Sequence, residues 1–448
     1  MKREANPALR RTWRRRIPRL AGLTGGVLAA AAVVSSALAQ ARLEHPEADA
    51  GRIEADVRFL AADEREGRGL GTAGLDQALR MVAERFAAIG LAPAYPERSS
   101  PEDPLAGYFQ RFTPAGFPAT ANVIGILPGR VTTAPRALVV GAHVDHLGVE
   151  AEGAAGGEPA SRDRIHNGAD DNASGVAALL EIARLLAAQP ARENERTVVF
   201  AVFSAEEEGL LGSRHFAADP IVPLAETMAM VNLDSVGRLR NRQLILFGGA
   251  TAREFPDLLA GLNQRFAFDL VMPRGDAGAS DQASFHAGGV PAVQLFTGTH
   301  DDYNRVTDEA DGIDYAGLAE VASFTAEFVR SLRYRLRPLT FVAGETRESE
   351  RVARMAREGE RRVSLGFMPD FAQQTGGVKV GMVTPGGPAE AAGLRAGDVI
   401  VGLDGQPVET LVDYTATLRE HAPGDRVLVS IRRGAETIQL AATVQERR

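Results

Sequence analysis

Two adjacent carboxylates, Asp170 and Asp171, lie in a Gly- and Asn-rich stretch that runs from His166 to Gly175. A pair of carboxylates in a small space repels itself unless a cation or a proton intervenes. Zinc and other divalent cations accept carboxylate oxygen, so the pair indicates a metal site. Asp, Asn and Ser also cap helices, and the apolar spacing that follows predicts a helix, so helix capping is the competing interpretation.

Further potential ligands come directly after short, wholly apolar segments. Three such segments precede them: 137–141 before His143, Asp145 and His146; 197–203 before Glu206, Glu207 and Glu208; and 228–233 before Asp234. Strands that are apolar on both faces and are separated by helices belong to a largely parallel sheet covered on both sides. The ligand site of such a sheet lies beyond the carboxyl ends of its strands. We therefore expect these residues to converge on one edge of the sheet.

The spacing within these groups suggests separate roles. In His143-Val-Asp145 the two side chains lie on the same side of an extended segment, where Asp145 can accept the second N–H of a metal-bound imidazole. Glu206 and Glu207 are consecutive and must diverge, so one can bind metal while the other faces the substrate and accepts a proton. Taken singly, His143 also fits a buried histidine at a strand end, and the glutamates fit a solvated acidic turn. Their joint occurrence favours the metal site.

Four of these residues supply nitrogen and oxygen ligands suited to zinc: His143, Asp171, Glu207 and Asp234. They allow two ions about 3.5 to 4 Å apart with Asp171 between them. The 448-residue chain contains no cysteine, so a thiolate site, a disulfide framework and a cysteine nucleophile are all excluded.

The motifs around these residues resemble the zinc aminopeptidases of the M28 type, over roughly residues 53–332. The resemblance rests on Gly-Ala-His143-Val-Asp145-His, Asn-Gly-Ala-Asp170-Asp171-Asn-Ala-Ser-Gly, Ala-Glu206-Glu207-Glu-Gly-Leu, Asn-Leu-Asp234 and Ser280-Asp281. It implies that zinc is bound by His143, Asp171 as the bridge, Glu207 and Asp234. It also implies that Glu206 is the general base, that Asp145 orients His143, and that the reaction releases N-terminal residues from peptides.

One position departs from this family. Its last zinc ligand is a histidine that follows a tyrosine, four residues before an acidic residue. Here Tyr303 is followed by Asn304, with Asp308 four residues later. An amide oxygen is a poor zinc ligand, and His300, one loop turn earlier, is the substitute that we consider. Two zinc ions are expected, with this one position open.

These residues require an α/β domain, predicted over residues 40–340, whose mixed and mostly parallel central sheet is flanked by helices. Besides the three segments above, strands are predicted at 122–127, 243–247 and 291–296. Helices are predicted within 54–91 on both sides of a glycine-rich loop, and at 255–266 and 315–332. The Pro- and Ser-rich stretch 93–118 is predicted to be a surface loop.

A charged linker at 341–361 and a small β domain at 362–448 are predicted to follow. This domain resembles a PDZ domain, with a carboxylate-binding loop that contains Leu365, Gly366 and Phe367. PDZ domains add a peptide strand to a sheet edge and hold its C-terminal carboxylate on backbone amides. Peptide C-termini are therefore the partners that the resemblance implies, and a docking domain without a ligand is the alternative.

Residues 1–39 have the pattern of an export signal: an arginine-rich start, an apolar run from Ala21 to Leu38 and a small-residue cleavage site after Ala39. A retained membrane anchor is the alternative, but the run is short. Removal of these residues, with eight basic groups and one acid, changes the formal net charge from −8 to −15. So acidic a protein is a poor nucleic-acid binder, and no later segment is apolar for long enough to span a bilayer.

We predict a periplasmic or secreted metallo-aminopeptidase that acts on peptides with a free N-terminus. One alternative is a weakly metallated binding protein whose work is done by the PDZ domain. Another is a reaction like that of the related glutaminyl cyclases, which act on N-terminal glutamine without hydrolysis. The retained Glu206 argues against a pure binding protein, which has no use for an unpaired base beside a metal.

Overall fold

The computed structural model describes residues 47–150, 164–190, 192–273, 280–343, 363–370, 376–384, 386–409, 411–418, 420–434 and 436–446. The predicted export signal, 1–39, lies outside these residues, and so does the predicted linker apart from 341–343. Within the described ranges, no helix has both the length and the apolar character that crossing a membrane requires.

The helices and strands follow the predicted order closely. The described α-helices are α1 Ala50–Leu60, α2 Ala73–Ile89, α3 Gly175–Ala187, α4 Leu211–Ala218, α5 Phe255–Phe266, α6 Gln282–Ala287, α7 Tyr315–Arg333, α8 Pro388–Ala391 and α9 Leu411–Leu418. The described strands of the large domain are β1 Ala92–Pro93, β2 Phe109–Phe112, β3 Thr120–Leu127, β4 Ala137–His143, β5 Gly148–Val149, β6 Ile165–His166, β7 Thr197–Phe203, β8 Thr227–Leu233, β9 Gln243–Phe247, β10 Asp269–Val271 and β11 Ala292–Phe296. Those of the C-terminal domain are β12 Val363–Ser364, β13 Phe367–Pro369, β14 Val378–Val383, β15 Val399–Leu403, β16 Gln406–Pro407, β17 Arg426–Arg433, β18 Glu436–Thr443 and β19 Gln445–Glu446.

The central sheet of the large domain is mixed, and the predicted fold class is confirmed. Its strand order is β1-β3-β7-β4-β8-β11-β9-β10, with β2 paired to β3. The pairs β7–β4, β4–β8 and β8–β11 at its centre are parallel, whereas β3 joins β7 antiparallel. The parallel strands at the centre therefore end at one edge of the sheet.

Helices cover both faces of this sheet. Leu138 and Val140 of β4 belong to a core that includes residues of α1, α2, α3 and α7. Ala137 and Val139 point to the opposite face, where they pack with Phe216 of α4 and Phe285 of α6. This alternation is the period of two that a β-strand imposes. Strands buried on both faces hold the residues that follow them in fixed positions.

The stretch 93–118, predicted as surface loop, contains strand β2, and that prediction was wrong there. Phe109 of β2 is buried and pairs with Val123 of β3 in an antiparallel edge. A four-residue edge strand is too short to show a period of two against a Pro-rich background.

The C-terminal domain has its own core, as predicted. Strands β13, β14, β15, β17 and β18 form an antiparallel sheet in that order. Val380, Ile400, Leu418 and Val429 are among the buried residues of this core. Helix α9 therefore packs on the sheet through Tyr414 and Leu418.

Candidate metal centre

The ends of two central strands and the turn before α3 bring three predicted ligands together. His143 is the last residue of β4, and Asp234 follows the last residue of β8. Nε2 of His143 lies 3.3 Å from Oδ1 of Asp171 and 3.4 Å from Oδ1 of Asp234. We call these three residues the first group. Their ligand atoms are close enough together to bind one metal ion.

A second group contains His146, Asp171 and Glu207. Nδ1 of His146 lies 2.9 Å from Oε1 of Glu207 and 4.0 Å from Oδ2 of Asp171. The two groups share Asp171, which presents Oδ1 to one and Oδ2 to the other. Glu207 and Asp171 were predicted as ligands from the sequence, whereas His146 was not.

The Glu206–Glu207 turn follows β7 and separates the two side chains. Ala205 takes a left-handed conformation, with φ of 59°, which bends the chain sharply after the strand. The carboxylate of Asp145 accepts hydrogen bonds from the backbone N–H groups of Glu206 at 3.1 Å and Glu207 at 3.2 Å. Glu207 enters the second group, while Glu206 belongs to neither group and Glu208 is exposed.

Asp145 contacts His143 through its backbone as well as its side chain. Nδ1 of His143 lies 3.2 Å from the carbonyl oxygen of Asp145 and 4.0 Å from its carboxylate Oδ1. Nδ1–H of His143 can donate to that carbonyl, which leaves the Nε2 lone pair facing the first group. The side chain of Asp145 holds the glutamate turn instead.

The turn that carries Asp171 is an irregular helical turn, Ala169–Ser174, immediately before α3. The carboxylate Oδ2 of Asp308 accepts hydrogen bonds from the backbone N–H groups of Asp170 at 2.8 Å and Asp171 at 3.1 Å. Oδ1 of Asp170 accepts a bond of 2.6 Å from the backbone of Gly237. Asp170 and Asp308 therefore fix the turn, and the side chain of Asp171 is left for the metal groups.

His300 and Asn304 lie outside both groups. Nε2 of His300 is 3.1 Å from Oδ2 of Asp170, the carboxylate that fixes the neighbouring turn. Asn304 is exposed and has a left-handed backbone, with φ of 57°. The structure thus places neither of these residues with the four ligands predicted from the sequence.

Arg68 supports the site from behind and was not singled out from the sequence. Its side chain is fully buried and donates to the carbonyl oxygens of Val144, Asn167, Gly168 and Leu60. Burial lowers the pKa of Arg68 to about 10, so the group remains charged at neutral pH. It lies in the glycine-broken loop after α1, where only burial in the fold distinguishes it from a surface arginine.

The carboxylates of the site are held close together in a buried environment. Burial and the charges of Asp281 and Asp234 raise the pKa of Glu206 well above its usual value. Burial likewise raises the pKa of Asp281 to about 7 and that of Asp145 to about 6. The negative charges of these carboxylates repel one another, and a bound cation relieves this repulsion.

The two histidines differ in their electrostatic surroundings. Burial by itself would lower the pKa of His143, but the carboxylates of Glu206, Asp234 and Asp171 raise it well above its usual value. Burial lowers the pKa of His146 to about 3, so that ring is neutral and keeps a lone pair for a ligand.

The donor set fits zinc. Bonds of 2.0 to 2.1 Å in a tetrahedral arrangement place ligand atoms about 3.3 Å apart. The first group, with separations of 3.3 and 3.4 Å, meets this value directly. The second group, with 2.9 and 4.0 Å, brackets it.

The predicted carboxylate-binding loop of the C-terminal domain lies between β12 and β13. Gly366 has φ of 72°, a conformation that favours glycine. Leu365 is buried, and its carbonyl accepts a hydrogen bond from Ala389. Phe367 begins β13, with its ring 5.3 Å from that of Tyr414 on α9. The loop therefore connects β12 to β13 and places the ring of Phe367 against α9.

Comparison with known proteins assigns both domains. Residues 122–329 match the model of peptidase family M28, and residues 364–444 match the PDZ domain model. The chain carries an M28 peptidase domain followed by a PDZ domain. The predicted family is confirmed, and both matches lie inside the predicted limits of 40–340 and 362–448, which stay predictions.

Named relatives of the chain include a zinc metalloprotease and a leucine aminopeptidase, both given as probable. The chain is 44% identical over 70 residues to a probable zinc metalloprotease of Pyrenophora tritici-repentis, across 16% of this chain and 15% of that protein. It is 27% identical over 222 residues to a probable leucine aminopeptidase of Arthroderma otae, across 47% of this chain and 56% of that protein. The chain thus spans 15% of the length of the first relative and little more than half of the length of the second.

A solved structure shares the fold. Glutaminyl cyclase of Porphyromonas gingivalis superposes with a TM-score of 0.52 at 19% identity, across 64% of this chain and 99% of that chain. At this identity the likeness shows the fold alone. The reaction must be argued from the residues of the site.

Proposed function

We propose that the M28 domain is an exported, zinc-dependent aminopeptidase that removes N-terminal residues from peptides, and that the PDZ domain binds peptide C-termini. The observation that carries the proposal is the arrangement at the sheet edge: two ligand groups share Asp171 and lie beside Glu206, which belongs to neither. The N-terminal sequence pattern supports export to the periplasm or the medium.

The residues of this chain would divide the work as follows. His143, Asp171 and Asp234 hold one zinc ion, and Asp171 with Glu207 holds a second. Zinc, when bound, supplies Lewis acidity that acidifies water and withdraws charge from a carbonyl oxygen. The carboxylate of Glu206 accepts the proton of the attacking water and passes it to the leaving amine. The side chain of Asp145 accepts a hydrogen bond from the backbone N–H of Glu206 and so keeps Glu206 in place.

The charge of the site favours a positively charged substrate terminus. Asp281 is fully buried. The charge of Asp281 raises the pKa of Glu206, and the charge of Glu206 raises the pKa of His143. The three side chains therefore interact electrostatically. After two zinc ions have bound, this surplus of carboxylates attracts the free ammonium group of a peptide.

The test compares Glu206→Gln with Glu208→Gln in the full-length protein. Glu208 is the matched control, because it is an exposed neighbour outside both groups. We expect bound zinc in both variants, turnover of aminoacyl anilides reduced on the order of 100-fold or more for Glu206→Gln, and near-normal turnover for Glu208→Gln. The measurements are zinc content by elemental analysis and initial rates.

Other results would identify the alternatives. Zinc without anilide turnover, together with loss of ammonia from peptides that begin with glutamine, would indicate a cyclase. Absence of both zinc and turnover would leave a binding protein. Mass spectrometry of the peptide products separates these outcomes.

The PDZ proposal has its own support and test. The loop at Leu365–Phe367 lies between β12 and β13, beside α9, where an added peptide strand would find backbone amides. A fluorescence-polarisation screen with peptides that have free or amidated C-termini tests it. Equal binding of the two forms would contradict carboxylate recognition.

A further inference from the structure

We propose that His146 is the third protein ligand of the second zinc ion, in place of a histidine at position 304. This inference rests on the proposed function, because it concerns the same metal centre. His146 is one of the potential ligands that follow β4 in the sequence but is not among the four predicted zinc ligands, and it fills the position that Asn304 leaves open.

The geometry around His146 carries the inference. Its Nδ1 faces two carboxylates from different parts of the chain, Glu207 at 2.9 Å and Asp171 at 4.0 Å. An ion among three such atoms needs separations of about 3.3 Å, so the two distances would change by about 0.4 and 0.7 Å. The side chain of His146 is fully buried, which shields this nitrogen from bulk solvent.

The other ring nitrogen of His146, Nε2, makes no hydrogen bond within the described part of the chain that would assign the ring to a different role. Nε2 is buried and has no hydrogen-bond partner among the described residues. The polar contacts described for the ring therefore all run through Nδ1. The backbone N–H of His146 donates to the carbonyl oxygen of Arg68 at 3.3 Å, which fixes the start of the side chain.

The two other residues considered for this position lie elsewhere. His300 faces Asp170, whose side chain is already bonded to the backbone of Gly237. Asn304 is exposed. Of these three side chains, only that of His146 has a nitrogen within 4.0 Å of both Asp171 and Glu207 among the described contacts.

The experiment measures zinc per chain in the full-length protein after dialysis, for the wild type and three variants. His146→Ala is expected to fall from two ions to one. His166→Ala is the matched control, because His166 is a neighbouring histidine that lies outside both groups and contacts Glu150. It should keep two ions, and Asn304→His should also stay at two, because no ligand position is vacant.

A measurement on the unmodified chain covers the case in which His146→Ala does not fold. With 15N-labelled histidine, the ring signals of His146 should shift with the second equivalent of zinc, whereas those of His143 shift with the first or the second. Unchanged His146 signals at two equivalents would overturn the inference.

The outcomes separate this inference from the proposed function. Two ions in His146→Ala, or one ion in the wild type that rises to two in Asn304→His, would overturn the role of His146 and leave a zinc peptidase intact. No zinc in the wild type would overturn the proposed function itself.

Discussion

The two ligand groups are built on different supports. In the first group, His143 ends a central strand and Asp234 follows another, and the side chains of His143, Asp171 and Asp234 are 1%, 4% and 12% exposed. In the second, His146 and Glu207 lie on loops, and the side chain of Glu207 is 20% exposed. The sheet fixes one group, whereas hydrogen bonds from buried side chains fix the other. We therefore expect the second group to be the more sensitive to loss of a supporting residue.

The largest effect should come from the residue that both groups share. Asp171→Asn removes the charge between the two ions, so we expect loss of both and a fall in turnover on the order of 1000-fold or more. Asp301→Asn, an exposed acidic residue of the 300–304 loop, is the control. Zinc content and initial rates are the measurements. Retention of one ion at full occupancy would mean that the groups are independent.

Arg68→Gln should affect the stability of the protein and weaken zinc binding in the second group more than in the first. It removes donors from buried carbonyl oxygens of the loops before and after β5 and β6, so we expect the free energy of unfolding to fall by about 3 kcal/mol. Denaturant unfolding of the metal-free protein measures this. Arg80→Gln, at an exposed arginine on α2, should change it by less than about 0.5 kcal/mol.

The same variant tests the contrast in metal affinity. Zinc should be lost from the second group at a lower chelator concentration than from the first, because Arg68 bonds to Val144 in the loop that leads to His146, whereas His143 is held by β4 itself. Equal weakening of both ions would contradict the difference in support.

The smallest effect is expected at Asp145. Asp145→Asn keeps the shape of the side chain but weakens its bonds to the backbone of Glu206 and Glu207, so turnover should fall roughly tenfold. The first ion should remain at full occupancy, because the carbonyl of Asp145, which contacts His143, is unchanged. Loss of the first ion instead would show that the carboxylate orients His143, as the sequence resemblance implies.

Much of the fold and of the metal site could be predicted, because the ligands directly follow strands that the local apolar pattern indicates. Strand β7 and helix α5 have the predicted limits, and the family predicted from the motifs is confirmed. Apolar strands followed by His143 and Asp234 place those residues at one edge by parallel pairing alone. The strand β2 was not predicted, because four residues in a Pro-rich stretch are too few to show a period of two.

The sequence by itself determined the fold class, the family and the set of acidic and imidazole residues available to a metal. Only the tertiary structure decided which histidine accompanies Glu207. His146 and His300 are equally plausible as residue types, but a turn held by Arg68 directs one toward Asp171, while the other faces Asp170. The direction of a side chain in the loop after a strand depends on hydrogen bonds to residues distant in sequence, and a local sequence pattern does not predict those bonds.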